Sequence, residues 1–270
     1  MTTQAPVATT PRVDTGRRLT FFRAVRSETI KLTTLRSTWW SIAIAAVLTI
    51  GIAMLIAQAV DVPGFEPIQA VVMPIQFTML LAGIIGAIAV TGEYSTGMIR
   101  STLTAVPVRG AVLLAKSLVL ALFLFVSSLV IFGVAAVAVG MIVGSRDQSI
   151  DWSDPSASFL PILVASLSMS VFALIGVAFG FILRSGAGAI AATVGLLFVL
   201  PIVGNFFSMA GEAWAWVVDA ATYLPVAAAQ SAILPGEGAA IEAPVAFLTL
   251  ACWVVGALLA AWAVLRTRDA

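Results

Sequence analysis

The sequence predicts an all-α integral membrane protein with six transmembrane helices, an N-terminal interfacial helix and an external re-entrant helical segment before the last span. The 270 residues are 61% hydrophobic and 10% charged, with a mean hydropathy of +1.09, whereas a soluble domain averages about 25% charged residues. A helix needs about 20 apolar residues to cross a bilayer. Six stretches meet this length: 39–60, 70–90, 117–144, 159–183, 187–207 and 244–265.

The basic residues orient these spans. When the six spans are threaded through a membrane, every Lys and Arg except Arg146 falls on the side of the N-terminus. Positive charge is retained on the cytoplasmic side of membrane proteins. We therefore expect a multi-pass protein of the cell membrane with both termini in the cytoplasm. Residues 39–265 form the transmembrane domain, and residues 266–270 form the C-terminal tail.

The N-terminal region precedes any span and divides into two parts. Residues 1–16 are rich in Pro and Thr without an apolar run, and we expect a disordered tail. Residues 17–38 predict an amphipathic helix on the inner leaflet, with an ordinary basic flank of the first span as the alternative. Phe22, Val25, Thr29 and Leu32 recur there at helical spacing. The charged residues assigned to this helix are Arg23, Arg26, Glu28 and Lys31.

The connection between the second and third spans, residues 91–116, is the longest inner loop and is not of low complexity. Residues 94–103 can form a short helix that breaks before Pro107. Lys116 marks the return into the membrane, where we expect its ammonium group to reach the lipid headgroups. A short helix with apolar anchors fits a groove on a soluble partner. The side chains expected on its exposed face are Tyr94, Met98 and Leu103.

Residues 208–243 contain an apolar stretch that we do not count as a seventh span. A crossing at 213–234 would place the basic C-terminus on the outer side. We therefore expect short external helices that lie in the interface or dip into it, a depth that suits Trp214, Trp216 and Tyr223. Backbone at such a depth must be covered by protein or face water. The segment should therefore pack against other spans or a second protomer.

The sequence offers no catalytic set and no predicted metal site. His is absent and the single Cys252 lies in an apolar run, so neither the usual general base nor a disulfide framework is available. Residues 110–117, GAVLLAKS, approach the phosphate-binding pattern GxxxxGK[ST] but have Ala115 at the second Gly and open a membrane helix, which excludes that function. The spans lack a central Asp, Glu, Lys or Arg, which argues against ion-driven transport. Energy for any transport must then come from a partner.

Two GxxxG spacings, beginning at Gly140 and Gly176, suit the close approach of helices. Packing within one protomer is the expected use, and a dimer face is the alternative.

The 91–116 connection resembles the loop pattern E…G-T…L…P-[VS]-x-R…L-x-x-K of permease subunits of ABC-2-type ATP-binding-cassette exporters. The matching positions are Glu93, Gly97, Leu103, Pro107, Arg109 and Lys116, with Met98 where Thr is commoner. The run R-S-E-x-x-K-L from Arg26 to Leu32, with Thr38 and Trp39, resembles the start of the same family.

This resemblance implies a non-catalytic permease subunit of an ATP-driven exporter, working as a homodimer. A separate cytoplasmic ABC ATPase would bind ATP and Mg and would dock on the 91–116 connection. Glu93 would orient this junction by pairing with a nearby Arg. The residues assigned to coupling are Glu93, Tyr94, Gly97, Met98, Arg100, Leu103, Pro107 and Arg109.

The resemblance also places a substrate path along the dimer axis, between the second and fifth spans. Its expected lining is Gln76, Phe77, Met79, Asn205, Phe206 and Phe207. Apolar and aromatic walls suit a hydrophobic or amphipathic molecule such as a drug, a peptide antibiotic or a lipid, and so multidrug or antibiotic efflux. The alternative function is a membrane sensor or assembly subunit that docks a cytoplasmic partner without transporting. No nucleic-acid partner is expected.

Overall fold

The computed structural model describes residues 20–60, 62, 64–105, 108–209, 211–236 and 238–268. Within these ranges the chain is α-helical with no strand, and six helical segments are long and apolar enough to cross a membrane. The prediction of an all-α protein with six spans is confirmed. The predicted disordered tail, 1–16, and Pro107 lie outside the described residues.

The α-helices follow one another along the chain, and the longest connection, residues 144–158, joins the sixth helix to the seventh. The first five are α1 (Phe21–Thr34), α2 (Arg36–Ala59), α3 (Pro67–Val72), α4 (Ile75–Ser95) and α5 (Met98–Ala105). Next come α6 (Arg109–Val143), α7 (Phe159–Leu183), α8 (Gly186–Val194) and α9 (Leu200–Phe207). The last three are α10 (Ala215–Ala221), α11 (Pro225–Ile233) and α12 (Ala243–Thr267). The spans are α2, α3 with α4, α6, α7, α8 with α9, and α12.

The third span begins at Arg109, well before the predicted start at 117. The prediction took the basic residues Arg109 and Lys116 as a boundary of the membrane. Both residues lie within α6. They can do so because other groups of the protein bond to both side chains, as described below. Likewise α4 continues to Ser95, so that residues 91–95 are helical and not part of a loop.

The bundle has two ends. We call the end that holds the start of α6 and the C-terminus of α12 the near end, and the opposite end, which holds the C-terminus of α2, the far end. At the near end, Arg109 at the start of α6 donates from Nη1 to the carbonyl oxygens of Leu265 and Arg268, at 2.6 and 3.1 Å. At the far end, Arg146 donates to the carbonyl oxygens of Ala57 and Gln58, at 3.1 and 2.8 Å. Each arginine thus satisfies carbonyl groups left open at the C-terminus of a neighbouring helix.

The α4 and α7 helices pack closely at the centre of the bundle, and α7 is the most buried span. A methyl group at Gly86 would meet the carbonyl of Ala173, and one at Gly176 would meet the carbonyl of Gly83. The GxxxG spacing that begins at Gly176 therefore packs within one chain, as expected. A methyl group at Gly140 would meet nothing within 4 Å.

The segment 208–243 packs against the bundle without crossing it. Helix α11 has buried residues along most of its length and contacts α7 and α12. The indole Nε1 of Trp253 in α12 donates to the carbonyl of Tyr223, at 2.9 Å. Non-spanning backbone at membrane depth must be covered by protein or face water. The contacts of α11 with α7 and α12 provide such cover.

The fifth span contains a π-helical turn, Gly195–Val199, between α8 and α9. There the N–H of Leu200 bonds to the carbonyl of Gly195, and Pro201, which has no N–H, follows directly. Such single turns can kink a helix and are often found at functional sites.

Candidate functional site

Four charged side chains from three helices meet at the near end, and we call them the ion-pair cluster. They are Glu28 and Lys31 of α1, Glu93 of α4 and Lys116 of α6. Lys116 Nζ lies 2.6 Å from Glu28 Oε2 and 2.9 Å from Glu93 Oε1. Lys31 Nζ lies 2.7 Å from Glu28 Oε1 and 2.8 Å from Glu93 Oε1. Glu28, Glu93 and Lys116 are 7%, 4% and 5% exposed.

Helical spacing brings these groups together. Glu28 and Lys31 are three positions apart and so share one face of α1. Glu93 lies in the last turn of α4, and Lys116 lies about two turns into α6. The cluster therefore fixes α1 against the ends of two spans. Two expectations are wrong here: Glu93 pairs with lysines and not with an Arg, and Lys116 contacts carboxylates instead of reaching headgroups.

Mutual pairing favours the ionised forms of Glu28 and Lys31. Burial opposes ionisation of Glu28, but the ammonium groups of Lys116 and Lys31 outweigh it and lower the pKa of the Glu28 carboxyl. Burial also opposes ionisation of Lys31, but Glu28 and Glu93 outweigh it and raise the pKa of its ammonium group. The Glu28 contribution to stability is therefore lost only in acid, and the Lys31 contribution only in strong base.

Helix α5 spans Met98–Ala105, so the short helix predicted over 94–103 is present but begins four residues later than expected. Gly97 has φ +71°, a left-handed conformation that favours glycine, and it ends α4. Its N–H donates to the carbonyl of Tyr94, at 3.2 Å, and the N–H of Thr96 donates to the carbonyl of Gly92, also at 3.2 Å. The 91–116 connection consequently comprises the end of α4, the whole of α5 and the start of α6, with a tight turn at Gly97 between α4 and α5.

The exposed face of α5 differs from the expected one. Tyr94 packs edge-on against Phe181, with ring centroids 6.4 Å apart, and the Arg184 guanidinium lies 5.4 Å from its centroid. Leu103 is half-buried against the core, and Ile99 is buried. Thus Tyr94 and Leu103 attach the connection to the bundle. The side chains that face outward are Met98, Arg100, Ser101 and Thr104.

A groove of about 360 Å³ runs between α1, α5 and α6 beside the cluster. Lys31 Nζ contacts Thr102 Oγ1 of α5 at 3.5 Å, which links α5 to the cluster. We call this groove and the exposed side of α5 the near-end surface. Arg23 and Arg26 are exposed on α1 and do not line the groove. Its lining residues are Ala24, Ser27, Glu28, Lys31, Met98, Ser101, Thr102, Val112 and Ala115.

A second cavity, of about 410 Å³, lies toward the far end between α4, the fifth span and the 208–243 segment; we call it the far-end cavity. Four of the six residues expected on a substrate path line it together: Gln76, Phe77, Met79 and Asn205. The other two do not line it. Phe206 is 68% exposed, and the ring of Phe207 lies 4.8 Å from that of Trp214.

Sequence reasoning missed two polar residues of the far-end cavity, Thr222 and Gln230. They come from the end of α10 and from α11, which fold back over the fifth span. No spacing in the sequence indicates that fold-back. Among the described residues, no three His, Cys, Asp or Glu side chains lie close enough together to hold a metal ion.

Comparison with known families bears on this arrangement. A sequence-family model described as ABC-2 family transporter protein matches residues 24–210. This range holds the ion-pair cluster and most of the residues that line the far-end cavity. No curated protein matches the chain. The match covers more than half of the sequence, from within α1 to just beyond α9. The chain therefore belongs to the ABC-2 transporter family and is a membrane permease component of an ABC transporter.

Proposed function

We propose that the chain is the permease subunit of an exporter, that two copies form the substrate path, and that a separate cytoplasmic ATPase drives it through the near-end surface. The observation that carries this proposal is the ion-pair cluster. It fastens α1, which lies outside the spans, to α4 and α6, and Lys31 extends the connection to α5. A force applied to α1 or α5 is thereby applied to two spans.

Helix α4 offers a direct route from the near-end surface to the far-end cavity. Glu93 stands near its C-terminus and Gln76 near its N-terminus, within one helix of 21 residues. At about 1.5 Å per residue, the two positions lie about 26 Å apart. Because a helix resists compression, displacement of Glu93 moves the wall of the cavity that Gln76 and Phe77 line. ATP and Mg remain in the partner, and this chain supplies the moving wall.

The far-end cavity is proposed as part of the substrate path. Its lining combines apolar and aromatic side chains with the uncharged polar groups of Gln76, Asn205, Thr222 and Gln230. Such a lining suits an amphipathic molecule, because polar groups can orient the ligand while apolar walls bind most of its surface. Efflux of a drug or a peptide antibiotic across the cell membrane, with the near end in the cytoplasm, follows from this assignment.

The coupling can be tested by co-expressing this chain with a candidate ABC ATPase, for which a gene adjacent to that of this chain would be the first choice. Arg100 is exposed on α5, so Arg100→Glu reverses a charge without removing a core contact. We expect co-purification of the ATPase to fall about tenfold, with loss of substrate-stimulated ATP hydrolysis, since reversal of an interface charge costs on the order of 1–2 kcal/mol. Glu212→Lys, an exposed charge reversal at the far end, is the matched control and should bind normally.

If the unchanged chain does not bind that ATPase, the assignment of the near-end surface is wrong. If the ATPase binds but reconstituted vesicles accumulate no amphiphile upon ATP addition, the chain is instead a docking subunit that does not transport.

A further inference from the structure

A lateral cleft of about 390 Å³ opens between α2, α4 and α6 next to the ion-pair cluster. Most of its lining is apolar and belongs to the faces of the spans. Ile88 and Leu35 at its margin are 50% and 54% exposed, so the cleft is open at the side of the bundle. The apolar lining residues are Leu32, Leu35, Leu81, Ile84, Ile85, Ile88, Ala89, Met98, Val119 and Leu120.

One end of the lateral cleft is polar. The ion-pair cluster lines it there, together with Ser37, Thr38 and Ser41 from the start of α2. Trp39 and Trp40, which are 53% and 71% exposed, lie at the same level of α2. Exposed tryptophans are enriched where a span meets the lipid headgroups. The cleft thus has the polarity of a single lipid, with its polar end at headgroup depth and its apolar walls along the hydrocarbon.

The cluster leaves one acceptor unused at this polar end. Both oxygens of Glu28 and Oε1 of Glu93 accept bonds from the lysines. Glu93 Oε2 is buried and has no hydrogen-bond partner among the described residues. A buried carboxylate oxygen without a donor is costly, and a bond from a charged donor is the strongest way to satisfy it. Each lysine has three N–H groups and already makes three bonds. Lys116 donates to Glu28, Glu93 and the carbonyl of Ala89, and Lys31 donates to Glu28, Glu93 and Thr102.

We propose that the lateral cleft binds one phospholipid with a primary ammonium headgroup, such as phosphatidylethanolamine. Its ammonium N–H groups donate to Glu93 Oε2, and an acyl chain lies along the apolar walls. Phosphatidylcholine has the same net charge and the same chains but no N–H donor, so it cannot make this bond. The site holds the cluster in its paired state and makes the position of α1 dependent on the surrounding lipid. This inference rests on the cleft and the cluster and does not require the proposed function.

The two lipids provide the experiment. The protein, purified in detergent and delipidated, is titrated with dioleoyl phosphatidylethanolamine or dioleoyl phosphatidylcholine, and bound lipids are counted by native mass spectrometry. We expect the first phosphatidylethanolamine to bind about tenfold more tightly than the first phosphatidylcholine, in keeping with one charge-assisted bond. In Glu93→Gln this preference should fall below about twofold. Circular dichroism and gel filtration establish that each variant is folded.

A second pair of variants leaves the cluster intact. Ile88→Trp fills the lateral cleft and should weaken the binding of both lipids, whereas Val130→Trp, at another exposed position, on α6 and outside the cleft, should not. Equal affinity for the two lipids in the unchanged protein would overturn the proposal and leave the Glu93 oxygen to water. A preference that survives Glu93→Gln would also overturn it. So would a change of oligomeric state in Ile88→Trp with lipid binding unaltered, which would assign the cleft to a second copy of the chain.

Discussion

The contacts of Lys116 differ from those that its position in the sequence predicts. A lysine near the end of an apolar run usually extends toward the headgroups, yet Lys116 is 5% exposed and contacts Glu28 and Glu93. Two carboxylates and two ammonium groups make the cluster neutral. Neutrality makes its burial tolerable, because an isolated charge at this depth is strongly disfavoured.

We predict that Lys116→Met destabilises the protein by about 3 kcal/mol or more, since it leaves two buried carboxylates with one cation between them. Unfolding in mixed micelles, followed by circular dichroism, measures this loss. Glu28→Gln combined with Lys116→Met should cost less than the sum of the single changes, because the second change removes one of the uncompensated charges. Simple additivity of the two free energies would show that the groups do not interact, contrary to the distances.

At the scale of elements, glycine decides which helices approach closely. The α4–α7 contact has no room for a methyl group at Gly86 or Gly176, whereas Gly140 on α6 faces open space. The same GxxxG spacing therefore marks a close helix contact at Gly176 and none at Gly140. The position of the neighbouring backbone decides between the two cases, because helix association in lipid is stabilised by close packing and not by the expulsion of water.

Gly176→Ala and Gly140→Ala form a matched pair that tests this difference. We expect Gly176→Ala to lower the free energy of unfolding by about 1–3 kcal/mol through overpacking against the Gly83 carbonyl. Gly140→Ala should change it by less than about 1 kcal/mol, or raise it slightly, because alanine is the better helix former. Equal thermal stability of the two variants would argue against the tight contact between α4 and α7.

At the scale of the whole molecule, the two ends of the bundle differ in charge and in the groups that they expose. Among the described residues, Arg146 is the one basic side chain at the far end, and the ion-pair cluster and α5 occupy the near end. The far-end cavity is separated from the near-end surface by most of the length of α4. This separation suits a protein in which one end receives force and the other contacts the transported molecule.

Cysteine labelling tests the orientation that this charge distribution predicts. In a Cys252→Ser background, Ser153→Cys lies in the exposed connection between α6 and α7, and Thr104→Cys lies on the exposed face of α5. A membrane-impermeant maleimide should label the former in intact cells and the latter only after permeabilisation, because positive charge stays inside. The reverse pattern would invert the protein in the membrane and remove α5 from any cytoplasmic partner.

The sequence by itself determined the number of spans, the segregation of basic residues and the non-spanning character of residues 208–243. These follow from length and composition, which the bilayer imposes on each helix separately. The family resemblance grouped Gln76, Phe77, Met79 and Asn205, although it added Phe206 and Phe207, which do not line the cavity.

The tertiary structure alone decided where the charges pair, where the 91–116 connection bends and which side chains α5 exposes. Glu28 and Lys116 are separated by 88 positions, and no local pattern indicates that α1 returns to cover Lys116. Likewise, only the left-handed Gly97 shows that α4 stops before α5 begins. Hydropathy describes the free energy of transferring one helix from water to the membrane, and it can be read from that helix alone. An ion pair or a close contact depends also on the residues that a distant segment places next to it.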